Sequence, residues 1–143
     1  MAERRAEVTW KGDLMSGSGT IDRVGSGAFA PLDVSWSARA EDESDGKTSP
    51  EELLAAAHAT CFSMALSLGL AKAGTPPEEL RTSATVTFVP GTGITKSALT
   101  VEGRVPGLDA DGFRAAAEDA KVNCPVSQAL AAVPEITLDA RLA

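Results

Sequence analysis

The chain has 143 residues, the length of one ordinary domain, so residues 1–143 are expected to fold as a single domain. A net charge of −7, with no run of Lys or Arg, excludes nucleic acid and anionic membrane as main partners, because both are held by clustered cations. Behind Arg4 and Arg5 there is no apolar stretch, hence no sign of a secretory signal. Two cysteines without such a signal point to the reducing cytoplasm, where thiols are catalytic or redox-sensing rather than structural. There is no CxxC, so a thioredoxin-type site is excluded, and one His with two Cys lacks the spacing of a zinc site.

The first third alternates weakly. Residues 7–10 lead into the turn Lys11-Gly12-Asp13, and residues 20–24 form a second short strand before Gly25-Ser26-Gly27. Residues 33–39 place Val34, Trp36 and Ala38 on one face of a third strand, with Arg39 at its end. Three short strands joined by glycine turns read as an antiparallel meander. Residues 40–48 are acidic and polar and read as an exposed loop.

A helix start follows. Ser49 can cap, Pro50 suits the first helical position, and Glu51 and Glu52 oppose the positive end of the dipole. The helix should run to about Ala73, where Gly74 ends it and Pro76-Pro77 prevents continuation. Its length is then about 36 Å. The apolar stretch from Leu53 to Leu70 is near the lower limit for spanning a bilayer. It is interrupted by His58, Thr60, Ser63 and Ser67, so a core helix of a soluble protein is expected. Apolar residues cover nearly every face, and such a helix has to be wrapped by other elements.

Residues 83–90 and 95–105 alternate as two strands. Asp109 or Asp111 caps an amphipathic helix ending near Asn123. Residues 125–132 form a short helix and residues 135–142 a last strand. Two antiparallel three-stranded sheets around a long helix give an α+β fold. One such sheet cannot wrap a helix that is apolar all round. The missing cover is expected from a second copy of the chain, in an intertwined homodimer with two central helices.

The candidate chemistry lies in Cys61 and Cys124. Cys61 sits in the middle of the long helix, away from the positive dipole end, and its apolar neighbours disfavour the thiolate. A reactive Cys61 therefore needs a cation from elsewhere, and the helix has none before Lys72. Arg39 is the candidate, because a guanidinium stays charged when partly buried and can hold a thiolate and a carboxylate together. Glu51 is the carboxylate that would orient it. Glu51 and Cys61 are separated by about 15 Å of helix rise, so they cannot touch within one chain. If two copies of the helix pack antiparallel and cross near Ala56, Glu51 of one lands beside Cys61 of the other. Cys124 stands at a helix N-cap position before Pro125, at the positive end of a dipole. His58 reads as a satisfied core residue rather than a base.

The segments Thr48-Ser49-Pro50-Glu51-Glu52-Leu53, Ala56-Ala57-His58-Ala59-Thr60-Cys61-Phe62-Ser63-Met64-Ala65-Leu66 and Asn123-Cys124-Pro125-Val126-Ser127-Gln128 resemble the OsmC/Ohr family of thiol peroxidases. Trp10-Lys11-Gly12-Asp13-Leu14, Ile94-Thr95-Lys96 and Val105-Pro106-Gly107-Leu108-Asp109-Ala110 are similar to its OsmC branch. The likeness spans essentially the whole chain. It implies an OsmC-like fold, a dimer, and reduction of organic hydroperoxides and hydrogen peroxide in stress defence. It also implies Cys61 as the peroxidatic thiolate, Cys124 as its disulfide partner, Arg39 as the stabiliser of the thiolate and Glu51 as the orienter of Arg39. Arg23 is the substitute arginine. A lipoyl-type dithiol is the implied reductant, with no flavin, haem or metal. The alternative is a non-catalytic redox-sensing or binding module on the same scaffold.

Overall fold

Alternation in the N-terminal third resolves into an antiparallel sheet of β1 (Ala6–Lys11), β2 (Ser18–Val24) and β3 (Leu32–Val34), in that order. The computed structural model describes residues 1–143, which divide into two compact units, Met1–Leu53 and Leu54–Ala143. In the first unit Trp10 pairs with Gly19 across β1 and β2. A Cβ on Gly19 would stand 2.6 Å from the Trp10 ring, so glycine lets the indole lie flat on β2. Ile21 is buried, while Val8, Trp10, Leu14 and Phe29 remain exposed. An apolar groove of about 490 Å³ is left open, lined by Val8, Trp10, Ile21, Val34, Trp36 and Leu53 and edged by Arg39.

The expected third strand over residues 33–39 is a correction. β3 ends at Val34, and Trp36–Ala40 is a short helix, α1. The reason is local: the Ser35 hydroxyl accepts the Ala38 N–H at 3.2 Å, an N-cap bond that a strand cannot offer. Arg39 therefore lies in the last turn of a helix, not at a strand end.

The long helix α2 (Pro50–Lys72) has the expected start and stop. The Ser49 hydroxyl accepts the Glu52 N–H at 3.2 Å. Gly74 follows the last turn in the left-handed conformation, with φ of 89°. In the second unit, β4 (Glu79–Val89), β5 (Gly93–Arg104) and β6 (Glu135–Leu142) form a sheet in that order. β4 and β5 are antiparallel, but β5 and β6 are parallel, which corrects the expectation of a wholly antiparallel sheet. The helices α3 (Ala110–Asn123) and α4 (Pro125–Ala129) lie between β5 and β6. A connection of that length can return the chain to the starting end of β5, as a parallel pair requires.

The core of this unit joins Phe62, Leu66 and Leu70 of α2 to Leu99 and Val101 of β5 and to Phe113, Ala117 and Ala120 of α3. The spacing of four along α2 is one helical face. The other face is bare: Met64 is 68% and Leu68 56% exposed. The helix is long and apolar enough to cross a membrane by length and composition. Two of its polar side chains are nonetheless bonded to other elements, His58 to Ser97 and Ser127 and the Ser63 hydroxyl to Thr82 Oγ1 at 2.7 Å. The wrapping expected for α2 is thus met on one side only by its own chain.

Gly103 tests the packing of α3 on the sheet. A Cβ there would come within 2.5 Å of the Phe113 ring, which is fully buried and has no room to retreat. Gly103→Ala is expected to cost about 1–3 kcal/mol, as overpacking does. The measurement is urea unfolding of the two chains at fixed protein concentration.

Candidate active site

The four predicted site residues are assembled as two pairs. In the first unit, Arg39 meets Glu51. Its Nη2 donates to Oε1 at 2.9 Å, and its Nε lies 3.0 Å from Oε1 and 3.3 Å from Oε2. The fork geometry fixes the plane of the guanidinium. Glu51 is 8% exposed at its side chain and Arg39 32%, so the pair is largely removed from water. Helix capping sorts the two glutamates. Glu52 accepts the Thr48 hydroxyl at 2.8 Å and serves the helix start, which leaves Glu51 to the arginine. Arg23, the substitute, lies on β2 in an exposed pair with Glu7, bonded through Nε at 3.0 Å and Nη2 at 2.9 Å. A solvated pair of that kind contributes little.

In the second unit, Cys61 on α2 and Cys124 between α3 and α4 come together as free thiols. Cys124 ends α3, its N–H donating to Ala120 O at 2.9 Å, and it opens α4 ahead of Pro125. Cys124 is fully buried and Cys61 half-buried. Burial pushes the Cys61 thiol above its ordinary value, and hydrogen bonding to the Cys124 thiol adds to this. The Val126 N–H acts the other way, favouring the thiolate, while negative charge on Cys124 would oppose it. Close to this sulfur, the second unit therefore supplies a thiol and an amide but no positive charge.

His58 is buried and saturated. Its Nδ1 lies 2.7 Å from Ser97 Oγ on β5, and its Nε2 2.8 Å from Ser127 Oγ on α4. Burial holds its pKa below the ordinary value, so the ring is neutral, with one nitrogen donating and the other accepting. The expectation of a satisfied core histidine agrees with this. Its two serine partners were missed. Ser97 gives no signal in the sequence, and Ser127 gives only its place three residues after Cys124. No cluster of three or more His, Cys, Asp or Glu is arranged to hold a metal ion.

The sequence pattern of the family described as OsmC-like protein matches residues 41–139. The chain is 44% identical over 142 residues to peroxiredoxin OsmC of Escherichia coli, which covers 97% of this chain and 96% of that one. Among solved structures it is similar to an organic hydroperoxide resistance protein from Elizabethkingia anophelis, with a TM-score of 0.72 and 22% identity, over 97% of this chain and 96% of the other. The organic hydroperoxide resistance protein OhrB of Bacillus subtilis matches with a TM-score of 0.61 and 22% identity, over 97% and 98%. These two structural likenesses carry the fold alone.

The buried imidazole makes stability depend on pH. In the unfolded chain His58 takes up a proton near its ordinary value of 6.5, while in the folded chain the proton is refused until lower pH. The unfolded state then binds more protons, so stability falls as pH drops below about 6.5 and continues to fall until the lowered folded value is passed. A thermal melt series from neutral to mildly acid pH is expected to show this slope in the native chain and a flatter one in His58→Gln.

Proposed function

The chain belongs to the OsmC-like protein family, and on that premise we propose that it is a thiol peroxidase reducing organic hydroperoxides and hydrogen peroxide. The observation that carries the reading is the meeting of two free thiols from distant parts of the sequence, one of them in a fully dry position. The Cys61 thiolate attacks the outer peroxide oxygen. The O–O bond breaks, the alkoxide leaves and takes a proton as alcohol, and Cys61 becomes a sulfenic acid. The Cys124 sulfur then attacks the Cys61 sulfur, water departs and a disulfide forms. A dithiol reductant, in our reading of the lipoyl type, returns both thiols in the reducing cytoplasm.

The first step needs an anionic Cys61, which its own surroundings oppose. We assign the missing cation to Arg39 of a second copy, held by Glu51 of that same copy. Two facts support a homodimer of this kind. The face of α2 carrying Met64 and Leu68 is uncovered, and Ala56 and Ala57 on the same helix are small and exposed. Small residues let two helix backbones approach closely. An antiparallel crossing near Ala56 would bring each Arg39–Glu51 pair to the other chain's thiols. In this reading residues 1–143 work as one OsmC-like domain, completed by its twin.

Cys61→Ser is expected to reduce turnover of cumene hydroperoxide with a lipoyl dithiol to background. Cys124→Ser should consume one equivalent of peroxide and stall as sulfenic acid, visible by dimedone labelling and mass spectrometry. A native chain that oxidises once and stops would instead match a redox sensor. Arg39→Ala is expected to move the pH–rate profile of the peroxide step upward by about one to three units, the usual effect of losing an adjacent opposite charge. A stopped-flow profile identical to that of the native chain would remove Arg39 from the site.

A further inference from the structure

Three residues outside the thiol pair form a chain of hydrogen bonds in the core of the second unit: Ser97 on β5, His58 on α2 and Ser127 on α4. Ser97 and His58 have no exposed surface, and Ser127 is 7% exposed. A polar cluster this dry fixes the elements that bear it, since separating them strands unpaired groups away from water.

Its placement relative to the thiols is specific. His58 stands three residues before Cys61, on the neighbouring turn of α2. Ser127 stands three residues after Cys124, in the first turn of α4. The same turn carries the Val126 N–H that acts on the Cys61 sulfur. The His58–Ser127 bond thus ties the turn that presents Cys124 to the helix that presents Cys61. α4 has five residues, begins with a proline that cannot donate, and has no side-chain cap bond from Cys124. So short a helix has little hold of its own.

We infer that His58 and Ser127 are positioning residues for the second half of the reaction: their hydrogen bond keeps the first turn of α4 against α2, so that Cys124 stays within reach of the oxidised Cys61. The inference rests on the peroxidase reading above. In the step concerned, the Cys124 sulfur attacks the sulfenic sulfur of Cys61. The S–S bond forms, the S–O bond breaks, and hydroxide leaves as water with the Cys124 proton. A disulfide tolerates only a narrow range of separations, with Cα atoms within about 7 Å, so drift of α4 slows closure more than attack on peroxide, from which it removes only the partial help of the Val126 N–H. Ser97 binds the other ring nitrogen from β5, so its bond joins α2 to the sheet rather than to α4.

The test mixes reduced chain rapidly with cumene hydroperoxide for the native protein and for Ser127→Ala, Ser127→Thr and Ser97→Ala. Peroxide consumption, dimedone-trapped sulfenic acid and disulfide are followed separately, with a thermal melt for each variant. In Ser127→Ala, peroxide consumption should stay within about threefold of native while disulfide closure slows about tenfold or more, the scale of a modest misplacement of reacting groups. Sulfenic acid, and with excess peroxide sulfinic acid, should accumulate in that variant. Ser127→Thr, which keeps the hydroxyl, should restore closure. Ser97→Ala removes a bond from the same imidazole and should lower the melting temperature comparably, yet keep the native closure rate. Native closure in Ser127→Ala overturns the inference. So does equal slowing of both steps in both alanine variants, because the cluster is then structural only. A native chain that consumes no hydroperoxide overturns the parent reading, and this inference with it.

Discussion

The desolvation of one sulfur governs the rest of this molecule. Cys61 lies half-buried on a core helix, where a negative charge is less well solvated than in water, and burial is the first cause of its raised pKa. A thiol in that state is a weak nucleophile at neutral pH. Its near neighbours are a second thiol, which adds to the shift, and the Val126 N–H, which offsets part of it. An amide dipole is a partial charge, and a full positive charge opposes a desolvation penalty more strongly. In the proposed mechanism the chemistry therefore draws on a guanidinium that the helix itself does not carry.

The same helix is the reason the proposal looks to a second copy for it. Along α2, Phe62, Leu66 and Leu70 are fully covered while Met64 and Leu68 lie open. The first unit has the same character, with an apolar groove and Val8, Trp10 and Leu14 in contact with solvent. Apolar surface of this extent on a small chain is the usual mark of an interface. The Arg39–Glu51 pair stands at the start of the helix that the interface would use, preorganised by a two-point bond. Hydrophobic burial and thiolate stabilisation then become one event. In the proposed dimer, a chain without its twin would be both uncovered and unactivated.

Much of this was legible in the residues, because the decisive signals are local. Ser49-Pro50 and Gly74-Thr75-Pro76 mark both ends of α2, and the alternation of Ile136, Leu138 and Ala140 marks β6 with its observed limits. The pairing of Arg39 with Glu51 followed from charge and from the shortage of other cations near the helix. What was not legible has a common cause, in that it depended on a single competing bond or on connectivity. Ser35 could extend a strand or cap a helix, and its hydroxyl chose the Ala38 N–H. The direction of β6 was set by the helical segment between β5 and β6, which alternation cannot reveal. Ser97 and Ser127 acquire meaning only when His58 is brought between them by tertiary folding.

The measurement that bears most directly on the central claim is complementation between two disabled chains. Cys61→Ser lacks the nucleophile and Arg39→Ala lacks the cation, so each alone should be inactive or severely slowed. When the two are co-expressed and the mixed species isolated, one of the two sites in each hybrid dimer holds an intact Cys61 opposite an intact Arg39. The account predicts that hydroperoxide turnover returns in the hybrid, at about half the native rate per dimer if the two sites act independently. A hybrid no more active than the two parent variants would contradict it, because the guanidinium and the sulfur would then have to come from the same chain.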